Sequence, residues 1–62
     1  MVQLYTVPET AKLLRVKKSY VYELIYTGQL KAIRLSERRF RVREQAIVEF
    51  IERKEKEMVL GN

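Results

Sequence analysis

The chain has no cysteine, no histidine, no aspartate and no tryptophan, with a single proline and two glycines. Without cysteine there is no disulfide and no thiolate-bound metal, so packing and hydrogen bonding alone must hold the fold. A reducing compartment is the simpler expectation. Without histidine and cysteine, the commonest general base, the strongest thiol nucleophile and most zinc-ligand sets are missing. Eight glutamates are the only acids, and six of them lie outside the central stretch of the chain, on segments that read as surface helix. A chain of 62 residues can hardly form the pocket that a two-glutamate hydrolase would need. No apolar run exceeds three residues, as at Met58-Val59-Leu60. That is far short of the roughly 20 needed to span a bilayer, and too short for a signal-peptide core. The expectation is a protein without catalytic activity, cofactor or metal, located in the cytoplasm and not in a membrane.

What is present is positive charge, and it is segregated. The net charge is +5, yet Arg15 to Arg43 holds nine Lys/Arg against Glu23 and Glu37, a net +7, while the remainder holds four against six, a net −2. An ordinary solvated surface mixes the signs. Segregation is the footprint of a face that meets a polyanion. The length predicts one domain over residues 1–62. A chain this short buries only about 60% of its unfolded surface, so its apolar residues must be used efficiently.

Thr6-Val7-Pro8-Glu9 reads as a helix start, with a capping hydroxyl, a glutamate three residues on and a proline in the first turn. Val7, Ala11 and Leu14 continue at helical spacing, predicting a first helix over about Val7 to Leu14. Arg15-Val16-Lys17 has the length of a helix-turn-helix turn, with Val16 as the apolar plug beneath it. A second helix is expected from about Lys18 to Thr27, burying Val21, Leu24 and Ile25, with Gly28 as the left-handed residue that ends it. Its opposite face carries Lys18, Ser19, Tyr22, Glu23 and Tyr26. Leu30–Leu35 and Arg39–Val42 read as two strands joined by Ser36-Glu37-Arg38, a turn without the glycine that marks a tight hairpin. Phe40 and Val42 face one way, and Arg39, Arg41 and Arg43 the other. Ile47, Phe50, Ile51, Lys54 and Met58 then share one side of a third helix, about Glu44 to Val59. The fold class is mainly α with a two-stranded β-hairpin wing, a winged helix-turn-helix. The expected core is Val7, Ala11, Leu14, Val21, Leu24, Ile25, Phe40, Val42, Ile47, Phe50 and Ile51.

Several groups stand out against that frame. Lys17, Lys18 and Ser19 lie at a helix N-terminus, whose free N–H groups favour anions. Lysines there oppose the helix dipole, so phosphate or base contact explains them better than solvation does. Tyr22 either places its hydroxyl on a phosphate or its ring on a thymine methyl, or lies over the wing or the first helix as partial core. Glu23 either accepts from a cytosine amino group or holds Lys17 or Lys18. Tyr26 reads as packing, and Tyr20 as lying toward the turn. Arg38, Arg39 and Arg41, at the hairpin tip and on one strand face, have no acid near them in sequence except Glu37. They suit a narrow minor groove and its phosphates better than they suit a solubilising edge.

The stretch Tyr5 to Leu14, Val16 through Ile25, Gly28 to Ala32, Arg39 to Val42 and the Ile47-x-x-Phe50-Ile51 pattern resembles the excisionase-like branch of small winged-helix domains. That branch is related to the winged helices of MerR-type regulators. The resemblance implies that the second helix enters a major groove of double-stranded DNA and the wing lies against the neighbouring minor groove. It also implies a nucleoid-associated role in recombination or transcription, with a homodimer, tandem copies or a recombinase as partner. Arg15 stands where the family often has glycine, Lys17 where it often has a capping serine or threonine, and Ser36-Glu37 where its wing turn often contains glycine. The DNA-contacting residues expected are Arg15, Lys17, Lys18, Ser19, Tyr22, Glu23, Arg38, Arg39 and Arg41. The rival expectation is a protein-interaction module that docks through Met58-Val59-Leu60 on the third helix, with little intrinsic DNA binding.

Overall fold

In the computed structural model residues 2–60 are described, and side chains through Met58. The order is β1 (Leu4–Tyr5), α1 (Val7–Leu14), α2 (Lys18–Tyr26), β2 (Ile33–Ser36), β3 (Arg39–Arg43) and α3 (Glu44–Leu60). This is the architecture of a winged helix-turn-helix, with one correction. The wing is not a lone two-stranded hairpin but part of an antiparallel sheet in the order β1-β3-β2. Leu4 pairs with Arg43 and Tyr5 with Val42. Two residues immediately before a helix cap carry no readable period of two, so the pattern gave no strand there.

α1 begins as its sequence dictates. The Glu9 N–H donates to the Thr6 hydroxyl at 3.2 Å, and the Thr6 N–H donates to the Glu9 carboxylate at 2.8 Å. This closes a capping box around two otherwise orphaned donors. The Thr6 backbone N–H, and then its hydroxyl, hold the Glu9 carboxyl below its usual range, with Arg41 adding a smaller pull. Thr10 is wholly buried but satisfied, because its hydroxyl donates to the Thr6 carbonyl at 2.8 Å.

Both helices of the helix-turn-helix end in the same backbone motif. At α2 the Gln29 N–H reaches back to Leu24 at 2.9 Å and the Gly28 N–H to Ile25 at 3.2 Å, with Gly28 at φ 80°. At α1 the Val16 N–H reaches Ala11 at 3.0 Å and the Arg15 N–H reaches Lys12 at 3.2 Å, with Arg15 at φ 58°. These are Schellman caps, one built on glycine and the other on arginine. α2 itself stops at Tyr26, and Thr27 serves as its cap.

The core is Val7, Ala11, Val21, Leu24, Leu30, Phe40, Val42, Ile47 and Phe50, with Tyr5, Leu14, Val16, Tyr22, Ile25, Ala32 and Ala46 half-buried against it. Leu30 was expected to open a strand. It instead lies in the loop, tucked inward because its N–H bonds the Leu24 carbonyl at 3.1 Å after the Gly28 reversal. Ile51, expected in the core, is 42% exposed. Met58, expected on the same side of the helix as the core residues, is exposed as well. The core is only one helix-face wide, so Ile47 and Phe50 fill it and Ile51 falls outside. Arg53 donates to the Gln29 carbonyl, and Lys54 to the Gln29 side chain at 3.2 Å, tying α3 to the loop that follows α2. α3 extends through Leu60, and the side chains of Val59 and Leu60 lie outside the described residues. No helix among the described residues is long and apolar enough to cross a membrane.

Candidate nucleic-acid interface

Two open concavities flank the first turn of α1, and Pro8 borders both. One, of about 680 Å³, has a floor of Ala11 and Val16 and a rim of Lys12, Arg15, Lys17 and Lys18. The other, of about 410 Å³, lies between α1, α2 and the wing and is lined by Thr6, Val7, Tyr22, Phe40, Arg38, Arg39 and Arg41. Six cations expected from the sequence to meet DNA are thus gathered around one stretch of surface: Arg15, Lys17, Lys18, Arg38, Arg39 and Arg41. Ser19 and Glu23 line neither concavity and stand exposed on α2. Among the described residues none of the six cations forms an ion pair with a carboxylate; the ion pair found joins Lys54 to Glu57 on α3. Glu23 accordingly makes no ion pair with Lys17 or Lys18.

Local structure explains how each side chain is presented. Lys17 occupies the N-cap of α2 in an extended conformation, without a side-chain cap bond. Arg15 is exposed at the left-handed position that closes α1. In the wing, Ile33 pairs with Arg41, Arg34 with Phe40 and Ser36 with Arg39, which leaves Leu35 as a bulge. Arg15 is the sole non-glycine residue at positive φ among the described residues. The Glu37-Arg38 turn therefore lacks the mirror-image geometry that fits strand twist, and the Leu35 bulge absorbs the mismatch. Arg34 pins the result. Its Nη2 donates to the Glu37 carbonyl at 3.1 Å, its Nε to the Ser36 carbonyl at 3.4 Å, and its guanidinium lies 5.8 Å from the Phe40 ring centroid. Arg41 is half-buried and donates to the Phe40 carbonyl at 2.9 Å, while Arg38 and Arg39 are exposed.

Tyr22 is half-buried, meeting Phe40 edge-on at 6.1 Å and stacking with Tyr26 at 6.3 Å. It lies over the wing and also lines the cleft, so the two sequence readings of this residue are compatible. Sequence reasoning passed over Lys12, which rims the larger concavity, and Arg34, which braces the wing turn, and it read Tyr26, on the exposed face of α2, as packing. Lys12 was within reach of the helical period. Arg34 had no signal, because its role depends on the bulged register.

The fold and this surface define a winged helix-turn-helix module. The model of the family described as a helix-turn-helix domain matches residues 4–55, and the chain belongs to that family. The chain is also similar, at 46% identity over 50 residues, to two proteins of Mycobacterium tuberculosis, one from strain CDC 1551 and one from strain H37Rv, each named as a candidate DNA-binding protein. The similarity covers 81% of this chain and 63% of each relative, so the chain spans less than two thirds of their length. No solved structure matches the chain.

Proposed function

We propose that this chain is a single domain that binds duplex DNA. In this reading α2 enters the major groove, and the arginines of the wing meet the adjacent minor groove and its phosphates. The observation that carries the reading is the gathering of six cations, without ion-pair partners among the described residues, along two concavities that meet at Pro8, beside the exposed face of α2. Grouping like charges on a folded surface is unfavourable, and a polyanion is the natural compensation. Membership of the helix-turn-helix family and the names of the two relatives point the same way.

Affinity comes from phosphate neutralisation by Arg15, Lys17, Lys18, Arg38, Arg39 and Arg41. Sequence preference comes from Lys18, Ser19, Tyr22 and Glu23 along α2. One module of this size covers only about 600–1,000 Å² of DNA-facing surface. A second copy, tandem binding or a recombinase neighbour would supply the remaining specificity. That need fits an excisionase-like architectural factor or a small MerR-like regulator associated with the nucleoid.

The wing tests the mechanism most directly. It meets backbone and groove shape, so replacing both Arg38 and Arg39 with alanine should weaken binding to all duplexes about equally. The slope of log affinity against log salt should become shallower by roughly 0.9 for each phosphate that is no longer neutralised. Stability should hold or rise slightly, since like charges are removed. Unaltered affinity and slope in the double variant would mean that the wing does not touch DNA.

A further inference from the structure

Tyr26 is the last residue of α2 and keeps 69% of its surface exposed. Packing, the role its sequence position suggests, accounts for only one edge of it. The ring is nevertheless held firmly. It lies nearly parallel to Tyr22, 6.3 Å away with 20° between planes, and meets Phe40 edge-on at 5.8 Å and 89°. Phe40 is itself buried, at 6% exposure, and Arg34 covers it from the wing. Tyr26 is thus a stiff aromatic post at the seam between α2 and β3, and its hydroxyl has no hydrogen-bond partner among the described residues. Contact with Tyr22 and Phe40 narrows its choice of rotamers before binding, which lowers the side-chain entropy lost on binding.

The seam has a definite counterpart on a duplex. If α2 occupies a major groove and the wing the neighbouring minor groove, one sugar–phosphate ridge must pass between them. We propose that the Tyr26 hydroxyl donates a hydrogen bond to a phosphate of that ridge, with its ring against the adjoining deoxyribose, so that it sets the register of helix and wing on the duplex. This rests on the DNA-binding reading above and adds an interaction of a different kind. A neutral donor releases no counterion, so it contributes affinity without contributing to the salt slope.

Tyr26→Phe in the full chain isolates the hydroxyl while keeping the ring and its packing. The probe is one short duplex selected from a random pool by the unaltered protein, used both intact and with a neutral methylphosphonate at each backbone position in turn. The variant should bind roughly three- to tenfold more weakly, the net worth of one such hydrogen bond, with the same salt slope, base preference and melting temperature. One methylphosphonate position should weaken the unaltered protein and leave the variant unaffected. Equal affinity of variant and unaltered protein overturns the proposal, and so does a changed base preference, which would place Tyr26 on a base edge. In both cases salt-dependent binding by the unaltered protein keeps the DNA reading intact. If the unaltered protein shows no salt-dependent duplex binding, both fall together.

Discussion

Arg15 and Gly28 occupy equivalent places in two successive helix caps, at φ 58° and φ 80°. A Cβ in the left-handed region is crowded against the backbone, and only glycine escapes this. The neighbouring Lys17 caps α2 without a side-chain acceptor, where serine, threonine, asparagine or aspartate would add stability. Both positions give up stability in favour of positive charge, and both border the same concavity. Arg15→Gly should therefore raise folding stability by about 0.5–1 kcal/mol in chemical denaturation while weakening duplex binding. The salt slope should flatten by about the amount that one neutralised phosphate contributes. A variant that is more stable and binds undiminished would show that Arg15 meets no phosphate. At this scale the sequence was highly legible: Thr6, Glu9, Pro8 and Gly28 act as their types predict. The left-handed place of Arg15 was visible only as a departure from a familiar pattern.

Among the elements, the helices were readable because capping and a 3.6-residue period are local signals. α1 and the start of α2 fall where the period puts them. The wing was readable in outline and not in detail. Its strand β3 alternates cleanly, but β2 is exposed at all four positions, so no burial pattern marks its register, and the Leu35 bulge has no sequence signature. β1 was invisible for want of length. The turn is held by Arg34, which hydrogen-bonds two carbonyls and covers Phe40. Arg34→Ala should quicken amide hydrogen exchange at Arg38 and Arg39 and lower stability by about 0.5–1 kcal/mol. Arg34→Lys keeps the charge but loses the planar fork, so it should restore little of that protection. Full recovery with lysine would show that charge alone steadies the turn.

In the molecule as a whole, charge is divided between faces. Most basic residues gather around α1, α2 and the wing, while on α3 Glu44, Glu49, Glu52, Glu55 and Glu57 outnumber Arg53, Lys54 and Lys56. That asymmetry turns the basic face toward a polyanion during encounter. It was fully legible as the contrast between +7 and −2 along the chain. The assembly of Arg15, Lys17 and Lys18 beside Arg38, Arg39 and Arg41 was not, because only the tertiary fold brings the helix-turn-helix turn and the wing to either side of Pro8.

The pairing of β1 with β3 also bears on how the chain assembles. The α1–α2 pair and the β2–β3 hairpin close over short stretches of sequence, whereas the Tyr5 hydroxyl meets Glu44 across a separation of 39 residues. Loop closure over such a span is entropically unfavourable until the pieces it joins already exist. The first strand should therefore dock after the folding transition state, as the last piece in and the first out. Tyr5→Ala should leave the folding limb of a chevron almost unchanged and raise the unfolding limb. The N-terminal strand would then act as a latch on the wing, governing how long the native state lasts and not how quickly it forms.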